Sequence, residues 1–178
     1  MKLESIKKHL SPYSIYQKRH TTIAHAFASA LAPVDVYDEN KLLSALKNLG
    51  QDDADNIFCV YCRKSAQTWD HLLCLVKNGE LNGYGHQIGN LVPSCKDCNS
   101  KKGSKNYQKF ILENTLGDEE YKHNLISKLD AHLRLAQPFK TDLTDVKIKL
   151  AELKEIKEKI FSLMKEADAV VLEIKNKL

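Results

Sequence analysis

Nowhere in the 178-residue chain do eighteen apolar residues run together, which excludes an ordinary membrane-spanning helix. The opening Met-Lys-Leu-Glu-Ser-Ile-Lys-Lys is amphipathic rather than continuously apolar, so no secretory segment is predicted. There is no internal repeat and no low-complexity tract. Charge of one sign is in small excess, 27 Lys and Arg against 23 Asp and Glu, a net +4. That bias alone identifies no nucleic-acid partner. Together these absences predict a soluble, cytoplasmic protein with no membrane contact. At this length the chain buries one good core or two small ones.

What is present is a pair of cysteine knuckles, Cys59-Val60-Tyr61-Cys62 and Cys95-Lys96-Asp97-Cys98. Two cysteines separated by two residues can turn both sulfurs to one point, and two such turns supply the S₄ set of a closed structural zinc site. With all four positions taken by protein, such a site stabilises the fold and does no chemistry. Buried free thiols or two disulfides are the alternatives, and intracellular CxxC pairs more often bind metal. Cys74 lies in the apolar run Leu72–Val76 and reads as a small buried hydrophobe.

The flanks read as helices. Tyr13 to Ala32 carries Tyr16, Ile23, Phe27 and Leu31 on one stripe and is closed by Pro33. Asp38 is placed to cap a second helix through Leu42, Leu43, Leu46 and Leu49, with Gly50 at its end. Thr68 to Val76 predicts a strand, residues 78–89 a long glycine-punctuated turn, and Leu91-Val92-Pro93 a short return strand. A short helix follows from about Ser94 to the stop at Gly103. Ser104 then starts a helix through Tyr107, Phe110 and Ile111, and Asp118-Glu119-Glu120 opens another that ends near Pro138.

From about Leu143 a three/four alternation runs through Val146, Leu150, Leu153, Ile160, Met164, Ala167, Val171, Ile174 and Leu178. Lys157 occupies one seam position, with Ile156 beside it to fill the gap. This is one long amphipathic helix that either pairs with another chain, a second copy or a partner protein, or folds back on the flanks. The expected division is a helical region 1–56, a zinc-stabilised module 57–117 and a helical region 118–178. The fold class is α+β.

Between and beyond the knuckles stand Trp69-Asp70-His71, Asn90 and Asn99. Phosphodiester hydrolysis needs an activated water, a group that neutralises phosphate charge and support for the departing oxygen. Asp70 and His71 are neighbours in a strand, so their side chains take opposite faces unless the strand ends or twists there. Trp69 reads as core more readily than as a base-stacking platform.

In order and embedding, Asp70-His71, Asn90 in Gly89-Asn90-Leu91-Val92-Pro93 and Asn99 in Cys98-Asn99-Ser100-Lys101-Lys102-Gly103 resemble the HNH endonuclease family. The resemblance covers roughly residues 57–110 and implies a ββα-metal module flanked by α-helices. By it, His71 is the general base. Asp70 and Asn99 hold one magnesium ion, for which manganese substitutes, and Asn90 ties the loop between the strands. Asn99 stands where many members have His, and a neutral amide oxygen favours a hard ion. DNA, expected as duplex, would lie along Lys96, Lys101, Lys102, Lys105 and Lys109, whose bland reading is a solvated helix face. His86 is either a phosphate contact, an extra ligand or an exposed loop residue. The resemblance implies a magnesium-dependent DNA endonuclease of restriction or phage defence. The alternative is a non-catalytic zinc module that binds nucleic acid or protein.

Overall fold

The computed structural model describes residues 3–8, 10–139 and 144–178 and is a mixed α+β structure. Its elements are α1 (Ile15–Leu31), α2 (Glu39–Asn48), β1 (Thr68–His71), β2 (Val76–Lys77), β3 (Glu80–Leu81), β4 (Leu91–Ser94), α3 (Lys96–Lys102), α4 (Tyr107–Asn114), α5 (Glu119–Leu133) and α6 (Thr144–Lys175). Single 3-10 turns lie at Leu3–Lys8 and Ile88–Asn90. Among the described residues no helix is long and apolar enough to cross a membrane. The chain forms two compact units, one of residues 1–27 with 141–178 and one of residues 28–140.

The first unit rests on the seam of α6. Val146, Leu150, Leu153, Ile160, Met164, Ala167 and Val171 are its half-buried apolar positions, spaced three and four apart. Lys157 keeps the seam position and is buried, while Ile156 is 44% exposed, so the lysine stem rather than the isoleucine fills the gap. α6 folds back on the start of α1. The Ser14 hydroxyl donates to the Asp168 carboxylate at 2.7 Å, and the Ile15 and Tyr16 amides donate to it at 2.7 and 3.1 Å. Tyr16 meets Phe161 edge to face at 5.8 Å, and the Lys165 ammonium sits 4.6 Å from the Tyr16 ring centre. Leu143, the expected start of this helix, lies outside the described residues.

The second unit is assembled from short elements with side-chain caps. Asp38 accepts the Lys41 amide at the head of α2, and Asp118 accepts the Tyr121 amide at the head of α5. α4 starts at Tyr107, three residues after the expected start at Ser104, because Asn106 takes the cap, accepting the Lys109 amide at 2.9 Å. α5 packs against α4, α2 and the 3-10 turn at 88–90. The core holds Leu49, Val60, Tyr61, Leu72, Val92, Tyr107, Phe110, Ile111 and Leu129, with two of the cysteines. Helices from both sides of residues 57–117 thus share one core, and the units divide the chain elsewhere than at 56 and 117.

β1 and β4 pair antiparallel from Thr68↔Ser94 to His71↔Leu91, and α3 follows β4 directly. β2 and β3 make a separate hairpin between them, turned by Asn78 (φ 54°) and Gly79 (φ 81°) in the left-handed pair that two-residue hairpins favour. β1 is shorter than its apolar run suggests. Beyond His71 the Asn90 side chain accepts the Leu73 amide at 2.9 Å and donates to the Leu73 carbonyl at 3.1 Å, which takes both peptide groups from any ladder.

Candidate functional site

The four knuckle cysteines are free of disulfides, and their sulfurs all lie within 4.8 Å of one another. Sulfurs around a tetrahedral zinc with bonds of about 2.3 Å would be about 3.8 Å apart; Cys62 Sγ and Cys95 Sγ are 3.7 Å apart. The first knuckle is closed by the Arg63 amide on the Cys59 carbonyl at 2.9 Å, with Arg63 at φ 61°. In the second, Cys95 caps α3, its sulfur accepting the Cys98 amide at 3.4 Å. Burial pushes the Cys62 and Cys98 thiols up, so holding all four sulfurs as thiolates at this spacing would take a cation among them. The cluster fits a metal ion such as zinc.

Asp70 lies on β1 and is only 4% exposed. Its Oδ2 accepts the Tyr61 hydroxyl at 2.7 Å, and the Lys102 ammonium lies 3.3 Å from Oδ1 and 3.2 Å from Oδ2. Lys102 also donates to the His71 carbonyl at 2.7 Å. Burial pushes the Asp70 carboxyl up against the pull of that ammonium, and burial beside Asp70 pushes Tyr61 well up. Expected as a phosphate contact, Lys102 is instead 1% exposed. It falls three residues after Asn99 on the face of α3 that meets β1. Lys96, Lys101 and Lys105 stay exposed, and Lys109 pairs loosely with Glu113 at 3.7 Å.

His71 is the last residue of β1, paired with Leu91, and it follows Asp70 in the ladder. Its Nε2 is 3.2 Å from Nδ1 of His86, the rings meeting edge to face at 5.0 Å. Burial first, then His86 and Lys102, pull His71 down to about 4, so the imidazole is neutral at neutral pH. Asn90 is fully buried and donates to the Gly85 carbonyl at 3.0 Å as well as to Leu73. It therefore stitches the chain just past His71 to the chain just before His86. Asn99 donates from its amide nitrogen to Thr68 Oγ1 at 2.7 Å and to the Trp69 carbonyl at 3.4 Å, and its amide oxygen takes part in neither bond.

Trp69 is 42% exposed rather than in the core, because the pleat turns it away from the face where Asp70 is buried. Cys74 is half-buried and donates to the Val76 carbonyl at 3.2 Å. Sequence reasoning missed Tyr61 as a partner of Asp70, the anchoring role of Lys102, and the contact between His71 and His86. All three join residues distant in the chain. Comparison with protein-family models, curated proteins and solved structures finds no match, so the reading of the site rests on its own atoms.

Proposed function

We propose that this protein is a metal-dependent DNA endonuclease with a ββα-metal module, in which His71 takes the proton from the attacking water. The observation that carries this reading is a neutral imidazole at the end of β1, on a segment that Asn90 ties to the chain before His86 and within a module where four cysteine sulfurs converge. General bases need a nitrogen held still within reach of water, and Asn90 supplies that stillness through three hydrogen bonds. Asp70 and the Asn99 oxygen are hard donors suited to magnesium, with manganese as substitute. When bound, such an ion would neutralise charge on the phosphate and on the departing 3′ oxygen. Lys101 and Lys105 supply exposed positive charge for the DNA backbone, while Lys102 supports the site from beneath by fixing Asp70 and the His71 carbonyl. By its resemblance, the role is restriction or phage defence.

One observation favours a second reading. The Asp70 carboxylate is already compensated by a buried ammonium, as in a purely structural ion pair, and that ammonium opposes a second cation. A zinc-stabilised module that only binds nucleic acid or protein would have no other use for it. Plasmid cleavage separates the two. The nuclease reading expects cutting with magnesium, none with chelator for magnesium, and a loss of roughly 100-fold or more in His71→Ala with zinc and DNA binding kept. Equal nicking by wild type and His71→Ala would remove His71 as the base, and no magnesium-dependent cutting in either would leave the binding module.

A further inference from the structure

His86 has more structure around it than an incidental loop residue needs. Val34 forms a parallel bridge with it, and the Asp35 amide donates to its carbonyl at 3.2 Å. The Asp35 carboxylate in turn accepts the Ile88 amide at 2.8 Å. Gly85 presses on the same strap: a Cβ there would lie 2.0 Å from the Pro33 carbonyl oxygen. On the other side Asn90 donates to Gly85 and to Leu73. The segments carrying the two imidazoles are therefore fixed to each other, and the 3.2 Å between His71 Nε2 and His86 Nδ1 is a distance the fold sets.

One proton lies between two ring nitrogens at that separation, so one donates and the other accepts. If His86 donates, His71 carries its own proton on Nδ1 and has no free base. If His86 accepts, His71 is protonated at Nε2 and Nδ1 is bare. We propose that His86 is a positioning residue for His71: its Nδ1 accepts the His71 Nε2 proton and so selects the tautomer whose Nδ1 can act as base. This rests on the nuclease reading. In the step, water gives its proton to His71 Nδ1 as its oxygen bonds phosphorus. The bond to the 3′ oxygen breaks, and that oxygen takes a proton from solvent. His71 is then an imidazolium, and its Nε2 hydrogen bond to His86 Nδ1 becomes charge-assisted and stronger. A partner that orients and tunes an imidazole in this way is typically worth about 10- to 100-fold, by analogy with the outer partners of metal-bound histidines.

The test has two arms on the full zinc-bound chain. Nitrogen NMR of the histidine rings in wild type should show His71 as the Nε2–H tautomer, and in His86→Leu a mixture of both tautomers. In plasmid cleavage with magnesium, His86→Leu should lose about 10- to 100-fold in kcat with KM for DNA unchanged. His86→Asp, which can only accept, should recover most of that loss. An Nδ1–H tautomer in wild type, undiminished kcat in His86→Leu, or a rise in KM alone would overturn the proposal, the last by making His86 a DNA contact. A wild type that shows the Nε2–H tautomer and cuts nothing would instead overturn the nuclease reading and, with it, any catalytic use of the pair.

Discussion

The unit of residues 28–140 and the unit made by the two ends of the chain solve the same problem by different means. The end unit has one 32-residue helix whose seam repeats every three and four residues, and Asp168 on it takes capping bonds from the start of α1. Besides three helices of eight to fifteen residues, the central unit has strands of two to four residues and a helix of seven, too short to be stable alone. It depends on cross-links between distant residues: four sulfurs at one point, Asp70 with Lys102 and Tyr61, and Asn90 with two chain segments. Long periodic elements give stability cheaply and place few groups with accuracy. Short elements tied by polar side chains hold an imidazole to a fixed neighbour, and they depend on every tie.

Removing the metal should separate the units most sharply. A tetrathiolate zinc contributes on the order of 10 kcal/mol or more to a small domain at neutral pH. Full chelation, or Cys95→Ser, should therefore melt the hairpin and α3 while α6 keeps its helicity. Metal analysis should find one zinc per chain, and amide exchange should show protection lost at Val92 and Asn99 and kept along α6. Protection unchanged at Val92 would show that the apolar core alone holds the central unit.

Next in size is the buried pair. Lys102→Met leaves the buried Asp70 without its ion-pair partner and with Tyr61 as its remaining side-chain partner, which costs about 3–5 kcal/mol when one member of such a pair is lost. Asp70→Asn in the same chain should return part of it. Denaturant unfolding of the single and double variants at fixed zinc measures the coupling. Strictly additive losses would mean that the contact carries no energy of its own.

The same contrast decides what the sequence made legible. Local chemistry was readable: the Asp38 and Asp118 caps, the stop at Gly103, the knuckle spacing and the α6 seam all need only residues close in the chain. Asn90 was expected to tie the loop only through the family resemblance, since its bonds run to Leu73 and Gly85, away from its neighbours in β4. The end of β1 was not readable, since Thr68–Val76 is suited to a strand throughout and only a side chain 17 residues away diverts it. Asn78-Gly79 did carry a hairpin signal, masked by the other glycines of that loop. Lys102 illustrates the deeper difficulty. A lysine in a basic run looks solvated, and its burial follows from which face of α3 meets β1, a tertiary fact. For the same reason the Asp168 cap was invisible, since its acceptors and donors are about 150 residues apart.

That cap offers the smallest and most local test, on the side of the molecule that should not depend on metal. Hydrogen bonds from Ser14 and then Ile15 hold the Asp168 carboxyl below its ordinary value of 3.8. A carboxyl lowered on folding binds fewer protons folded than unfolded between the two values. Its contribution is present above about pH 4 and is lost as pH falls through the folded value. Protection of the Ile15 and Tyr16 amides should therefore fade at acid pH in the wild type, whereas in Asp168→Ala it should be low and flat across the range. The carboxylate is a helix N-cap supplied from another helix, so Asp168→Asn, which retains one acceptor oxygen, should fall between the two. Cysteine clamp and cap would then have opposite signatures: chelator strips protection at Val92 and spares Ile15, and the loss of Ile15 protection below about pH 4 is silenced by a single substitution at Asp168.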